Sequence, residues 1–211
     1  MIIHIGGSSS AGKTTLGLKL KEKFNHIVLK DFDDLRSEFK TQCISNNISF
    51  ELFKKNFKKL YQSFLDDFLN SNKDKIILLT GIECYINGES MSYNKQIFHP
   101  KFKLNTRADY KFAIKIDNED LLKQRWERDY EQMTKYLIWA LQNEKERLYK
   151  IYVKKDKLDI KDIEPNFDWI FGHKLHVAHL ENWNEHYKES GYKFATRDKL
   201  FDLISKIIIK T

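Results

Sequence analysis

Hydrophobic positions in this chain follow two alternating patterns, short unbroken apolar runs and longer stretches with a helical period. Ile2 to Gly6 is a short apolar run of the kind that forms a buried strand. Lys13 to Phe24 then sets Leu16, Leu20 and Phe24 on one helical face, and His26–Lys30 predicts a second strand. From Asp34 to Asn70 the pattern is helical in two pieces, broken near Ser45–Ser49. Phe53, Phe57, Leu60, Phe64 and Phe68 mark the apolar stripe of the second piece. Lys75–Thr80 is a continuous apolar run ending at Gly81, as a central parallel strand would be. Residues 82–108 read as irregular, and Tyr110–Asp117 alternates as another strand.

Asn118 to Val153 contains neither Gly nor Pro, and Leu122, Trp126, Tyr130, Met133, Leu137, Leu141 and Leu148 keep a helical period. Asn118 is placed to cap that helix, with Glu119 and Asp120 in the first turn, where the helix dipole favours acids. Residues 154–190 are charged and aromatic by turns, around Pro165 and Gly172. Tyr192–Ala195 and Asp198–Ile209 close the chain as a strand and a helix. Strands alternating with helices predict an α/β fold of three layers, a central parallel sheet with helices on both faces. A length of 211 residues fits one domain, 1–211, with a variable insertion at about 154–190.

Composition narrows the setting. No apolar run reaches the roughly 20 residues that cross a bilayer, so no membrane partner is expected. The two cysteines, Cys43 and Cys84, form neither a CxxC pair nor a disulfide framework, which predicts a reducing, cytoplasmic environment. The net charge of +7 suits phosphate-rich ligands, although scattered lysines also serve solubility. Only six residues are Arg (36, 107, 125, 128, 147 and 197), so each marks a place where a planar fork of donors is needed.

The strongest chemical signal is Gly7-Ser8-Ser9-Ser10-Ala11-Gly12-Lys13-Thr14, which matches G-x-x-x-x-G-K-[ST] without a gap, followed by Thr15. It lies between the first strand and the first helix. There its backbone N–H groups and the helix N-terminus favour an anion. The motif predicts that Lys13 reaches the β- and γ-phosphates of ATP and that the Thr14 hydroxyl ligates Mg²⁺. The guanine-reading N-K-x-D of GTPases is missing; Asn72-Lys73-Asp74 is one residue short of it. No acidic pair ends the Lys75–Thr80 strand, as motor ATPases would carry. A kinase remains.

The second strand runs into Lys30-Asp31-Phe32-Asp33-Asp34-Leu35-Arg36. Ligands of doubly wound sheets bind at the carboxyl ends of strands, where Asp33 is placed to take the proton of an attacking hydroxyl and Arg36 to reach back to it. Capping of a helix by Asp33 or Asp34 is the structural alternative. The third strand ends Thr80-Gly81-Ile82-Glu83 without a clean acidic partner for the metal, so Asp31, Asp33 and Glu83 all stand as candidates to assist Mg²⁺.

GGSSSAGKTT followed by an acidic turn about twenty residues on resembles the P-loop kinases of the uridine kinase, nicotinamide riboside kinase and nucleoside monophosphate kinase type. Asp33-Asp34-Leu35-Arg36 is similar to the D-D-x-R of polynucleotide 5′-hydroxyl kinases. The resemblance implies a P-loop NTPase fold with a helical lid at about 118–150, and implies that Asp33 activates the acceptor hydroxyl. It further implies that Arg125 and Arg128, in an R-x-x-R-D segment, close over the transferring phosphoryl group. Gly191 to Asp198 falls where related kinases contact adenine, largely through backbone. The acceptor implied is a nucleoside, nucleotide or related small molecule, with a nucleic acid 5′-hydroxyl or a non-catalytic ATP-binding role as the rival readings.

Other signals are discounted. His173, His176 and His179 wind away from one helical face and read as structural rather than as metal ligands. The phenylalanine stripe reads as core, and the lysine pairs at 54–55, 58–59 and 154–155 as solvated faces.

Overall fold

The computed structural model describes residues 1–85, 91–128, 171–172 and 174–211. Along the chain come β1 (Ile2–Gly6), α1 (Lys13–Lys23), β2 (Val28–Asp31), α2 (Phe32–Ser45), α3 (Phe50–Ser71) and β3 (Ile77–Thr80). Four short strands follow: β4 (Cys84–Tyr85), β5 (Met91–Tyr93), β6 (Gln96–Phe98) and β7 (Phe102–Lys103). β8 (Tyr110–Ile114), α4 (Glu119–Arg128), α5 (Leu175–Glu189), β9 (Lys193–Ala195) and α6 (Arg197–Ile209) complete the described elements.

Five strands form one parallel sheet in the order β2-β3-β1-β8-β9. β1 is central, with Ile3 opposite Leu78 on one side and Tyr110 on the other. Both faces of the sheet are covered, as the unbroken apolar runs require. On one face Ile3, Ile5, Leu78 and Phe112 pack against Leu16 and Leu20 of α1 and Leu200 and Ile204 of α6. On the other, Ile77 and Leu79 pack against α2 and α3 through Phe39, Phe53, Phe57 and Leu65. Farther along that face Ala113 meets Trp183 and Tyr187 of α5. The architecture is therefore the three-layer α/β fold, with α1 and α6 on one side and α2, α3 and α5 on the other.

Two features differ from the sequence expectation. The buried stripe of α3 is Phe53, Phe57, Tyr61, Leu65 and Leu69, while Leu60, Phe64 and Phe68 are only partly buried. Tyr61 takes the core position because its hydroxyl donates to the Phe32 carbonyl (3.2 Å), which satisfies the polar tip inside the protein. Residues 82–108 are not irregular throughout: β4 pairs with β7, and β5 with β6, both antiparallel. The β5–β6 hairpin turns on Asn94 and Lys95, with φ of 47° and 65°. Two left-handed residues suit a two-residue hairpin, and a Lys where Gly is usual conceals it.

Asn118 caps α4, its Oδ1 accepting from the backbone N–H of Asp120 (2.8 Å) and Leu121 (3.3 Å). The remainder of the expected lid helix and most of the expected insertion lie outside the described residues, as does His173. Among the described residues no helix is long and apolar enough to cross a membrane.

Candidate phosphate-binding and transfer site

The loop between β1 and α1 turns through three left-handed residues, Gly7 (φ 138°), Ser10 (φ 59°) and Gly12 (φ 92°). A side chain at Gly7 or Gly12 would strain that backbone, which explains why the motif places glycine at both ends. The Ala11 N–H donates to the Ser8 carbonyl (3.2 Å), and α1 begins at Lys13 directly beyond Gly12. Lys13 folds across its own loop, its ammonium donating to the carbonyls of Gly7 (3.0 Å) and Ser8 (2.7 Å). Burial pushes the Lys13 ammonium down to about 8, against the pull of Asp31 and Asp33. Ser8 is fully buried and its hydroxyl has no hydrogen-bond partner among the described residues. An orphaned hydroxyl and a half-desolvated ammonium in one loop fit a phosphate group.

Asp31 connects this loop to the sheet. It ends β2 and caps α2, its Oδ1 accepting from the Asp33 N–H (2.9 Å). Its Oδ2 accepts from the hydroxyls of Thr14 (3.1 Å) and Thr80 (2.7 Å), so the end of β3 is tied through one carboxylate to the start of α1. Gly81 follows with φ 101°, and a Cβ there would lie 2.9 Å from Asp31 Oδ1. The Thr14 hydroxyl and the Asp31 carboxylate are a hard oxygen pair of the kind Mg²⁺ takes.

Asp33 lies two residues on, in the first turn of α2, with a side chain 77% exposed. The Arg36 guanidinium, one helical turn later, holds the Asp33 carboxylate and also donates to the Tyr85 hydroxyl. Asp31, Asp33, Lys13, Thr14 and Arg128 all line one cleft of about 300 Å³, whose floor is Gly81 and Ile82. Arg125 reaches the loop from outside, donating to the carbonyls of Ser10 (3.2 Å) and Ala11 (3.0 Å). The arrangement offers a phosphate cradle, a metal-ready oxygen pair and an oriented, solvent-facing carboxylate within one cleft.

Glu83 is not part of this cleft, which removes it as a partner of Thr14. It is 1% exposed and turns back over the sheet toward His4, Tyr192 and His186. Burial raises its carboxyl most strongly, but His186, His4 and a backbone N–H together outweigh this and the group stays ionised, at about 2.

Two residues beside the site escaped the sequence reading. Tyr85 follows the third strand and carried no motif. Arg197, the first residue of α6, lies against the phosphate loop; a Cβ on Gly12 would be 3.6 Å from its Cδ. Arginine scarcity was the available signal, since four of the chain's six (36, 125, 128 and 197) gather around the loop or the acidic turn.

Two buried histidines and one half-buried one make the fold sensitive to acid. His4, His176 and His179 all have pKa values lowered by burial, His179 to about 4. The unfolded chain takes up their protons near pH 6.5 and the folded chain only below that. Their contribution is therefore complete above pH 6.5 and is lost as pH falls through the window down to about 4. Thermal unfolding at pH 5 is expected at a lower temperature than at pH 7.5, with His179 alone accounting for about 1–2 kcal/mol. His179→Asn should flatten the profile; an unchanged slope would exclude that residue as the cause.

No family model and no curated protein matches the sequence. Among solved structures, the chain is similar to a shikimate kinase from Acinetobacter baumannii in complex with shikimate, at 15% identity and a TM-score of 0.42, over 99% of this chain and 93% of that one. It is similar to a deoxyadenosine kinase from M. mycoides with bound dCTP, at 14% identity and a TM-score of 0.31, over the full length of both. A shikimate kinase from Aquifex aeolicus matches at 26% identity and a TM-score of 0.25, over 38% of this chain and 49% of that one. Such TM-scores carry no argument about what this chain acts on.

Proposed function

We propose that the chain is an ATP- and Mg²⁺-dependent phosphotransferase acting on a hydroxyl or phosphate oxygen of a small nucleoside- or nucleotide-like acceptor. The observation that carries this reading is the bond from Thr14 Oγ1 to Asp31 Oδ2, with Lys13 on one side and the exposed Asp33 on the other. In the sequence, the missing acid after β3 left a non-catalytic reading open. Asp31, tied to Thr14 and Thr80, supplies a carboxylate at the same end of the sheet.

The loop N–H groups and Lys13 bind the β- and γ-phosphates, which draws the ammonium from the Gly7 and Ser8 carbonyls onto the ligand. Thr14 and Asp31 would hold Mg²⁺, which supplies charge neutralisation on the phosphates. Asp33 accepts the acceptor's hydroxyl proton as the new P–O bond forms and the bond from the γ-phosphorus to the ADP oxygen breaks. Arg36 keeps the Asp33 carboxylate directed into the cleft. Arg128, at the cleft wall, offsets charge on the transferring group.

A compact cleft favours a small acceptor. Asp33-Asp34-Leu35-Arg36 and the charge of +7 favour a second reading, a polynucleotide 5′-hydroxyl. Transfer from labelled ATP to nucleosides, mononucleotides and 5′-hydroxyl oligonucleotides, measured from low to physiological salt, separates the two. Small acceptors are expected to be labelled with a shallow salt dependence. Labelling of the oligonucleotide alone, with a log–log slope near −0.7 per contacted phosphate, would overturn the small-acceptor choice.

A further inference from the structure

Glu83, Cys84 and His186 bring a carboxylate, a thiol and an imidazole together at one place in the fold. Cys84 Sγ lies 3.2 Å from His186 Nε2, and the same nitrogen lies 3.7 Å from Glu83 Oε1. One imidazole nitrogen carries at most one hydrogen, so it can serve only one of these neighbours. On the far side, His4 Nε2 faces the Gly81 carbonyl at 3.0 Å, which places its hydrogen there and leaves Nδ1 to accept from the Tyr192 hydroxyl at 2.6 Å. That commits the only hydrogen of Tyr192, although Glu83 Oε1 is 3.2 Å away. Glu83 Oε2 is buried with no hydrogen-bond partner among the described residues. One oxygen of this buried, ionised carboxylate is thus left for a further partner.

We propose that Glu83, Cys84 and His186 form a thiolate–carboxylate–imidazole site for one divalent cation of the zinc class. Their ligand atoms lie within 4.8 Å of one another. A tetrahedral zinc ion, with bonds of about 2.3 Å to sulfur and about 2.0–2.1 Å to nitrogen and oxygen, sets S···N and N···O separations of about 3.6 and 3.4 Å. The observed S···N of 3.2 Å and N···O of 3.7 Å lie within about 0.4 Å of these values, and the sulfur and carboxylate stand no more than 4.8 Å apart, so binding would draw the three side chains together. The donor set of one sulfur, one imidazole nitrogen and one carboxylate selects zinc over Mg²⁺, which keeps to oxygen. The Tyr192 hydroxyl, held by His4, stands 3.2 Å from Glu83 Oε1 and walls the site on that side. A cavity of about 270 Å³, lined by Glu83, Tyr192, Lys103 and Lys111, borders the cluster on the Glu83 side. Binding displaces the Cys84 thiol proton to solvent.

The site ties α5 to the segment that leaves β3. Glu83 directly follows Gly81 and Ile82, the floor of the phosphate cleft. The cation is thus a staple behind the cleft, separate from the Thr14–Asp31 pair.

The test uses the full, tag-free chain freed of metal and needs no nucleotide, so it stands or falls apart from the kinase reading. Titration with Co²⁺ is expected to give one equivalent of tightly bound ion with a thiolate-to-cobalt absorption band. Zn²⁺ should displace the ion and raise the unfolding temperature, whereas excess Mg²⁺ should do neither. Cys84→Ser should lose the band. His186→Gln, at the more open edge of the cluster, should weaken binding beyond the ~10–100-fold typical of losing an outer-shell partner. Cys43→Ser, on α2, should bind as the wild type does. Absence of the band in the wild-type chain, or a band that persists in both the Cys84 and His186 variants, would overturn the site.

Discussion

Lys13→Ala is expected to abolish phosphoryl transfer and the thermal stabilisation that Mg·ATP confers, while leaving the circular dichroism of the free protein unchanged. The ammonium sits inside the loop rather than in solvent, held by two of the loop's own carbonyls. Burial has brought its pKa down to about 8, so the free protein gives up part of this charge near neutral pH. Phosphate oxygens replace those carbonyls on binding and restore the full charge. Nucleotide affinity of the wild-type chain should therefore fall as pH rises through 8. Loss of one preorganised cationic donor at the transferring group lowers kcat by at least about 10²–10³-fold. At a hundredfold excess over Kd the wild-type chain gains about 2.7 kcal/mol from its ligand. A Lys13→Ala protein that shows the same ligand-induced shift would sink the assignment of the loop.

Asp33→Asn and Asp31→Asn are expected to fail in different ways, which makes the pair more informative than either alone. Asp33 touches no loop residue through the hydrogen bonds described; its carboxylate is directed by Arg36 toward the open cleft. Its loss should lower kcat by ~10²–10⁴-fold and spare nucleotide affinity, because the base acts in the transition state. Asp31 holds Thr14 and Thr80, so its neutralisation should instead raise the Mg²⁺ concentration needed for activity. Asn is the right replacement at 31 because it caps a helix about as well as Asp does, so α2 keeps its start. Near-normal turnover in Asp33→Asn, with loss in Asp31→Asn at unchanged Mg²⁺ dependence, would move the base two residues back.

The sheet and the phosphate loop were legible because their signals are local. Ile2–Gly6, the glycines and Lys13 lie within one short stretch, and each apolar run is buried on both faces. The choice among Asp31, Asp33 and Glu83 was not legible, because it depends on which carboxylate meets Thr14 across the sheet. The pairing of Asp31 with Thr80 decides that, and register leaves no mark in the sequence of either strand. Glu83 looked equivalent on spacing alone; its partners His4, Tyr192 and His186 come from β1, the edge of β9 and α5. The β4–β7 and β5–β6 ribbons were missed because strands of two or three residues carry no measurable alternation.

The central place of β1 governs the order in which the chain can fold during synthesis. β1 leaves the ribosome ahead of both its sheet neighbours and has both edges unpaired until they arrive, Ile77–Thr80 on one side and Tyr110–Ala113 on the other. Roughly a hundred residues must therefore be translated before β1 is enclosed, at synthesis rates of about 5–20 residues per second. Throughout that interval the phosphate loop has a helix behind it but no completed sheet beneath it. Because these parallel pairs close across long stretches of chain, refolding is slow relative to helix formation, and the unpaired strand is the segment that nascent-chain chaperones have most reason to cover.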